Sequence, residues 1–292
     1  MGQATSVLPS YCSLVILGLM SSGSVFAGIQ DAKNWLSNTS SQDSLQALDL
    51  QTIDERFRTL SLLQSGGFAQ IDIDALLNGE HSTEALVRAA TIAHRQQTGF
   101  AQVSSYLTQA LAHQNPDGGF GHLAGWQSNS LDTAYVLLAL SDTQLISQLS
   151  SSAEIARWQT ATQHALQYLL SQQRSNGSYQ VVSLDQLYVS AYVLSALTPY
   201  ATQYANTVPN IERLVSFLHA AQVAPAQWSQ HAQGLFIDAL VAEALHPYHQ
   251  HTDQSLETAF RNRVETLQQQ NGSWGHDPYV TAVVLRSLQQ IG

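Results

Sequence analysis

Apolar and polar positions along this chain recur with a helical period, and four long segments share one arrangement. Each segment starts as an amphipathic helix, passes a glutamine and a polar turn, reaches an aromatic residue, and continues into a second, more apolar helix. The four copies begin YLTQALAHQNPDGGFG, ALQYLLSQQRSNGSYQ, LVSFLHAAQVAPAQWS and VETLQQQNGSWGHD. Self-similarity of this kind predicts a repeat protein built from helix pairs.

The second helices of the four copies align as LDTAYVLLAL, YVSAYVLSAL, FIDALVAEAL and YVTAVVLRSL. Helices that are apolar nearly all round are buried, so we expect these four in an inner layer. Near the start of each of these helices is a short polar residue, whose side chain can accept a hydrogen bond from a backbone N–H group that lacks a partner. These residues are Thr133, Ser190, Asp238 and Thr281. The aromatic residue of each turn is expected to wedge between neighbouring repeats: Phe120, Tyr179, Trp228 and Trp274.

Two weaker copies precede these four. DAKNWLSNTSSQ followed by TIDERFRTLSLLQ has the pattern of a helix pair, as does FAQIDIDALLN followed by STEALVRAATIAHRQ, where Ser82 or Thr83 suits a helix cap. An open superhelix would need polar caps on its end repeats, whereas a closed ring packs the last pair against the first. The apolar second helices favour the ring. We predict an all-α protein, an α/α toroid ((α/α)6 barrel) of six helix-pair repeats.

The first 27 residues differ from the rest of the chain. An apolar run, YCSLVILGLM, is followed by Val25 and Ala27 at the −3 and −1 positions of a small-residue cleavage site. The segment lacks the basic residues usual in a signal peptide, so an uncleaved anchor is the alternative. We expect residues 1–27 to be a signal peptide, residues 28–292 to form the toroid, and the protein to be periplasmic or secreted. Cys12, the only cysteine, would leave with the signal.

Composition excludes several partners. Charged residues make up 11% of the chain, against about 25% in an average domain. The net charge is −10, Lys33 is the only lysine, and no Lys/Arg run occurs, so we expect neither nucleic acid nor a stable membrane association after signal cleavage. No ligand spacing indicates a metal, and we expect no cofactor and a monomeric protein.

The elements QNPDGGFG, SNGSY and QNGSWG, each followed by an apolar helix, resemble the repeats of the terpenoid cyclase and protein prenyltransferase superfamily. The string GWQSNSLDTAYVLLAL resembles bacterial exported prenyltransferase and squalene oxidase repeat proteins in particular. The resemblance covers essentially residues 28–292, and it is strongest in the last four repeats. It implies an α/α toroid, the same architecture that the helix pattern predicts.

The catalytic motifs of these relatives are missing from the sequence. Class II terpene cyclases use an Asp-x-Asp-Asp acid, and the nearest string here, Asp72 to Ala75, lacks the last aspartate; it suits a cap or a solvated helix face. The prenyltransferase zinc site needs a cysteine, which the chain lacks after residue 27. The Gly-Cys-Gly-Glu-Gln motif of thioester domains that share the ring is also absent.

The turns before the inner helices lie at one end of a ring, so their side chains are expected to converge on one cavity mouth. Asp132 has no polar counterpart in the other repeats, where Val189, Ile237 and Val280 stand, and it suits either a helix cap or a site. The histidines from His246 to His251 follow an inner helix and are interpreted as a solvated connection on the opposite rim. The predicted binding residues are His122, Trp126, Asp132, Tyr135, Asp185, Tyr188, His231, Asp238, His276, Asp277 and Tyr279, with Glu84 and Arg88.

Two classes of function follow from these residues. The first is a binding or interaction module that holds a glycan, an isoprenoid or a peptide at the cavity mouth, since the family's catalytic motifs are missing. The alternative is an enzyme that uses acid–base residues at the mouth to act on a polysaccharide or an isoprenoid lipid. A deep aromatic-lined cavity with an isolated aspartate would favour a cyclase. An open cleft with two carboxylates or a Tyr–His pair would favour a carbohydrate enzyme.

Overall fold

A computed structural model describes residues 28–38, 48–63, 70–147, 152–229, 234–248 and 254–291. The predicted signal peptide, His231 and the histidines at positions 249 and 251 lie outside the described residues. None of the helices within these ranges has the length and apolar character that crossing a membrane requires. The elements are α1 (28–38), α2 (Leu50–Leu62), α3 (Ile73–Leu77), α4 (Thr83–Arg95), α5 (Phe100–Leu111), β1 (Phe120–Gly121), β2 (Ser128–Asn129), α6 (Ser130–Ser141), α7 (Thr143–Ser147), α8 (Ser152–Gln172), α9 (Gln186–Leu197), α10 (Val208–Ala220), α11 (Leu235–Leu245), α12 (Gln254–Leu267) and α13 (Pro278–Ile291).

Six of these helices form a closed inner ring. In ring order they are α2, α4, α6, α9, α11 and α13; each packs against the next, and α13 packs against α2. Their apolar residues make up most of the buried core, as the absence of a polar face in the sequence predicted. Helices α5, α8, α10 and α12 lie outside and pack on the inner helix that precedes each of them. The predicted all-α toroid is confirmed.

Three of the turns between an outer and an inner helix carry a glycine that both a positive φ and close packing require. In the first of these turns, which has Pro116 and Asp117 at its centre, the Gly118 N–H donates to the Asn115 carbonyl at 2.9 Å. Gly118 has φ +88°, and a Cβ there would lie 2.5 Å from the carbonyl oxygen of His164 on the next outer helix. Gly177 and Gly272 take the same conformation against Arg213 and Asp31.

A glutamine at the end of each preceding helix fixes the same three turns to the next repeat. The Gln114 Nε2 donates to the Gly118 carbonyl and to the Ala161 carbonyl of α8, both at 2.9 Å. In the same way, the Gln173 Nε2 donates to the Gly177 carbonyl of its own turn and to the Asn210 carbonyl of the next repeat. The Gln268 Nε2 donates to the carbonyls of Gly272 and Gly28. Because Gly28 begins α1, this last glutamine joins the final repeat to the first and closes the ring.

The four aromatic residues of the turns are buried, and their role as wedges between neighbouring repeats stays a prediction. The short polar residues at the starts of the inner helices hold them there, because each accepts a hydrogen bond from the backbone N–H of its aromatic residue. The sequence predicted that these side chains accept hydrogen bonds from backbone N–H groups. In the structure, those N–H groups belong to the turn that precedes each inner helix. The pairs are Phe120 with Thr133 (2.9 Å), Tyr179 with Ser190 (3.1 Å), Trp228 with Asp238 (2.8 Å) and Trp274 with Thr281 (3.1 Å).

Replacing Thr281 with valine should show what one of these hydrogen bonds contributes. The change keeps the shape of the side chain but leaves the buried N–H of Trp274 without its acceptor, so we expect the free energy of unfolding to fall by about 1–3 kcal/mol. Thr266→Val on α12 is the matched control, because the Thr266 hydroxyl donates to the Asn262 carbonyl at an exposed position. Equal losses in the two variants by urea denaturation would contradict this role for Thr281.

Candidate functional site: a cavity at the C-terminal ends of the inner helices

The N-terminal end of the inner ring is closed by aromatic side chains. The hydroxyls of Tyr135 and Tyr188 lie 2.8 Å apart, and the Gln51 amide donates to the hydroxyls of Tyr188 and Tyr279 at 3.3 and 3.1 Å. Rings meet edge to face at centroid distances from 4.9 to 6.2 Å. We call this group the aromatic layer; its members are Gln51, Tyr135, Tyr188, Tyr192, Phe236 and Tyr279.

A layer of charged side chains lies next to the aromatic layer, toward the C-terminal ends of the inner helices. The Tyr192 hydroxyl donates to Glu55 at 3.4 Å, and the Arg88 guanidinium lies over the Tyr135 ring, 5.0 Å from its centroid. Burial acts to lower the pKa of Arg88, but Glu84 and other neighbours raise it well above its usual value. The members of this ionic layer are Asp54, Glu55, Arg58, Arg88, Arg95, Glu243 and Arg286.

Asp54 is the centre of one half of the ionic layer. It is fully buried and accepts from Arg58 Nε at 3.0 Å, Arg88 Nη1 at 3.0 Å and Arg95 Nη1 at 3.3 Å. Burial alone would raise the pKa of Asp54, but the charges of the three arginines hold it below its usual value. Three arginines therefore share the charge of Asp54, and one of them, Arg88, also bonds Glu84 at 2.9 Å.

The other half of the ionic layer has more carboxylates than arginines. Arg286 bonds Glu55 and donates Nε to both carboxylate oxygens of Glu243 at 3.1 Å. Arg88 Nη1 also reaches Glu55 at 3.4 Å, and the Ser287 hydroxyl donates to Glu243 at 2.8 Å. Burial raises the pKa of Glu243 to about 7, although Ser287 and the charge of Arg58 act to lower it.

Beyond the ionic layer the ring opens into a cavity of about 420 Å³. The volume is within the range of small-molecule sites. Space remains there because the C-terminal halves of the inner helices carry small residues, among them Ala139, Ser195 and Ala244, where the N-terminal halves carry tyrosines. The remaining lining combines charged, hydroxyl and apolar side chains: Glu55, Arg58, Ser61, Leu62, Thr91, Arg95, Leu138, Ser141, Asp142, Ala191, Tyr192, Thr198, Pro199, Leu240, Glu243, Pro247, Arg286 and Gln290.

Five of the residues predicted at the cavity mouth come together in or beside the aromatic layer: Glu84, Arg88, Tyr135, Tyr188 and Tyr279. They lie together on the N-terminal side of the ring. The 420 Å³ cavity opens at the other end, and none of the five lines it. Their role in binding a ligand stays a prediction.

Three further predicted residues, His122, Trp126 and Asp132, lie on or beside the loop between the paired strands β1 and β2. His122 Nδ1 is 3.7 Å from the Asp132 carboxylate, and the rings of His122 and Trp126 are 6.0 Å apart. Trp126 is 58% exposed. Burial raises the pKa of Asp132, against the hydrogen bond from Asn129 and the charge of His122. The suggestion that Asp132 caps α6 is wrong: Asn129 is the cap and accepts from the N–H groups of Leu131 and Asp132.

The other predicted residues do not share a site. Asp185 and Asp277 cap α9 and α13 from exposed turns, and His276 contacts Asn271 at 3.0 Å on the surface. Asp238 faces the outer layer, where Arg263 bonds it at 2.7 Å. Burial raises the pKa of Asp238, against hydrogen bonds from Ser229, Trp228 and Arg263. These four residues have structural partners in the described part of the chain.

Most of the ionic layer was not predicted from the sequence, although a signal for it was present. Few residues of this chain are charged, yet TIDERFR, a segment predicted to be an inner helix, holds two acids and two arginines. A charge on a buried helix needs a partner on a neighbouring helix. Arg95, Glu243 and Arg286, which also lie on inner helices, were the partners to look for. No three His, Cys, Asp or Glu side chains among the described residues converge as metal ligands.

No protein-family model matches this sequence, and no curated protein matches it. Several solved structures do match this chain in their fold. The type II terpene cyclase MstE from Scytonema, in its apo form, has a TM-score of 0.65 at 14% identity, over 91% of this chain and 98% of the cyclase. The same cyclase in complex with geranylgeranyl dihydroxybenzoate gives a TM-score of 0.65 at 15% identity, over 94% and 98%.

A longer cyclase matches over part of its length. ent-Copalyl diphosphate synthase from Streptomyces platensis has a TM-score of 0.53 at 15% identity, over 82% of this chain and 49% of the synthase. At identities this low the similarity concerns the fold. The chain has a terpene cyclase-like helical toroid, as the resemblance in its repeats implied.

Proposed function

We propose that this protein is a ligand-binding module built on a terpene cyclase-like scaffold, and that it binds a small molecule in the cavity at the C-terminal ends of its inner helices. The observation that carries the proposal is the polarity of that cavity. Six helices deliver arginine, carboxylate and hydroxyl groups to a space of about 420 Å³, beside leucine side chains. A few fixed polar groups within a partly apolar concavity are typical of small-molecule sites.

Two features argue against cyclisation of an isoprenoid. Asp72 caps α3 by accepting from the Ala75 N–H at 3.0 Å, and Asp74 accepts from the Tyr106 hydroxyl at 2.5 Å. Neither aspartate lines the cavity, so the string nearest to the cyclase acid has a structural role. Inside the cavity, Glu55 is bonded to Arg88 and Arg286. A carboxylate held in this way is poorly suited to protonate an alkene.

The test is a thermal-shift screen of the full chain against glycans, isoprenoids and small organic acids. A ligand that binds only the folded state raises the melting temperature in proportion to its concentration and affinity. We expect at least one class to do so, and Ser195→Phe, which fills the cavity, to abolish the shift. Ser216→Phe on the exposed face of α10 is the control. A shift that survives Ser195→Phe, or a cyclised product formed from a geranylgeranyl substrate, would contradict the proposal.

A second candidate, an acid–base enzyme, is favoured by Glu243 alone. This carboxyl group lines the cavity, and burial raises its pKa to about 7, near the value that general acid catalysis at neutral pH requires. The candidate substrates are those of the sequence prediction, a polysaccharide or an isoprenoid lipid. Loss of product formation in Glu243→Gln, with ligand binding retained, would support this candidate over simple binding.

The raised pKa of Glu243 makes a prediction about stability. A carboxyl whose pKa is higher in the folded state than its usual 4.5 keeps its proton longer when folded. Its contribution to stability is therefore present at low pH and is lost as the pH rises from about 4.5 to about 7. The melting temperature of the wild type relative to Glu243→Gln should fall across this interval, and Glu212→Gln, on the surface of α10, should show no such trend. A flat difference would mean that Arg286 keeps Glu243 ionised throughout, and the enzyme candidate would fail.

The location of the protein is part of the same proposal. Export rests on the apolar run and the small-residue site before Gly28. Mass spectrometry of the protein recovered from a bacterial periplasm or medium should give Gly28 as its first residue. Recovery of an uncleaved chain with the membrane fraction would instead favour the anchor.

A further inference from the structure

We infer that the ligand of this cavity carries a carboxylate group, and that Arg58 and Arg95 bind it. This inference rests on the proposed function, because it assumes that the cavity is the ligand site. It goes further by naming the chemical class of the ligand and the two side chains that recognise it.

The two arginines retain free hydrogen-bond donors. Arg58 is 26% exposed, and within the described residues it bonds only through Nε, to Asp54 at 3.0 Å. Among the same described residues Arg95 bonds only through Nη1, which contacts Asp54 at 3.3 Å and the Thr91 carbonyl at 3.5 Å. Both side chains line the cavity. Their remaining N–H groups are donors that a bound anion can satisfy.

The charges around these arginines are unbalanced in favour of an anion. Asp54 is shared among three arginines, and two of the three, Arg58 and Arg95, face the cavity. Burial is the main cause that lowers the pKa of Arg95 to about 10; Asp54 and Asp142 act to raise it, and the neighbouring charge of Arg58 acts to lower it. A negative group between the two guanidinium groups would relieve this repulsion. Glu55 and Glu243 share Arg286, although Arg88 also reaches Glu55 at 3.4 Å and the charge of Arg58 acts to lower the pKa of Glu243.

One effect opposes anion binding at this end of the ring. The C-terminal ends of the inner helices each carry a partial negative charge of about 0.5 elementary charge. Asp142 also lies on this rim, within the field of Arg95. Asp54 offsets part of the charge of Arg58 and Arg95, so the positive charge that remains on the α2 and α4 side suits a monoanion better than a dianion beside Glu243. A single carboxylate fits best, since a planar guanidinium bonds it with two parallel hydrogen bonds.

The apolar residues that line the cavity determine the chemical nature of the rest of the ligand. Leu138 and Leu240 lie among the cavity residues on α6 and α11, on the far side of the ring from α2. A hydrocarbon chain of moderate length that ends in a carboxylate would place its charge at Arg58 and its methylene groups at these leucines. Octanoate is therefore a suitable probe, with 1-octanol and octylamine as neutral and cationic analogues of the same length.

The experiment is calorimetric titration of the full chain with the three probes near neutral pH. We expect octanoate to bind about tenfold or more tightly than octanol, and octylamine to bind weakest, because ionic hydrogen bonds are the stronger ones. Arg58→Gln should remove the preference for octanoate and leave octanol binding unchanged. Arg157→Gln, an exposed arginine on α8, should change neither. If Arg58→Gln does not fold, Arg58→Lys is measured in its place, because lysine keeps the positive charge but cannot form the two parallel hydrogen bonds of a guanidinium group.

The outcomes separate this inference from the proposed function. Equal affinities for octanoate and octanol would overturn the carboxylate inference and leave the cavity as a binding site. Tighter binding of octylamine would overturn it in favour of a cationic ligand. If none of the three probes binds, the inference fails, and the thermal-shift screen decides separately whether the cavity binds another class of ligand. A preference for octanoate that persists in Arg58→Gln and in Arg95→Gln would place the anion elsewhere and overturn the assignment of the two arginines.

Discussion

Replacing Asp54 with asparagine should lower the free energy of unfolding by about 3–5 kcal/mol, the largest effect we expect from any single change in the inner ring. The substitution keeps the size of the side chain but removes the one negative charge that Arg58, Arg88 and Arg95 share. Asp54 is fully buried, so water cannot replace the lost charge. Breaking a buried ion pair from one side is costly because the remaining charges lack compensation.

Asp31→Asn is the matched control for this change. Asp31 lies on the exposed side of α1, and its replacement should change stability by no more than about 0.5 kcal/mol. Urea denaturation of the two variants measures the difference. The effect of Asp54→Asn should also shrink in acid, because the lowered pKa of Asp54 means that its stabilising charge is lost as the pH falls. A loss below about 1 kcal/mol at neutral pH would contradict the account of the ionic layer.

The second large effect is expected at the closure of the ring, in Gly272→Ala. Gly272 has φ +87°, and an added Cβ would lie 2.5 Å from the carbonyl carbon of Asp31 on α1. The left-handed conformation costs a residue with a side chain about 1–2 kcal/mol. The clash with the backbone adds roughly 1–3 kcal/mol, since α1 must move away from the last repeat. We therefore expect a loss of about 2–5 kcal/mol.

Gly275 provides a control within the same turn. It has φ +66°, but a Cβ there would meet nothing within 4 Å. Gly275→Ala should therefore show the conformational cost alone, about 1–2 kcal/mol. The difference between the two variants, measured by thermal or urea unfolding, isolates the packing of the last repeat on the first. Equal losses would indicate that the contact between Gly272 and α1 contributes little to closing the ring.

The repeats were predictable because their signals are local and occur several times. Each turn glycine, aromatic residue and short polar residue stands at a similar distance from its neighbours in the chain, so copies such as QNPDGGF and QNGSW identify one another. Closure followed from the apolar inner helices, which could be buried on all sides only by a ring. Even the partners of Thr133 and Thr281 lie within a single repeat, 13 and 7 residues away.

The position of the cavity was not predictable in this way, because it depends on six segments far apart in the chain. Tyrosines on three different helices meet at one end of the ring, while alanines and serines on the same helices leave space at the other. A helical period assigns a residue to the inner face but does not show which side chains from other repeats lie at the same depth. For the same reason Asp54 was not recognised as the partner of Arg88 and Arg95, which lie 34 and 41 positions away.

The most direct test of the account is to locate a bound probe by NMR. With octanoate bound to the full chain, labelled on the methyl groups of leucine, nuclear Overhauser effects should connect the alkyl protons of the probe to Leu138 and Leu240. They should be absent for Leu123, in the exposed loop at the opposite end of the ring. Contacts to Leu138 and Leu240 are the result that the account predicts. Contacts to Leu123 and not to the two cavity leucines would place the site at the N-terminal end and contradict it.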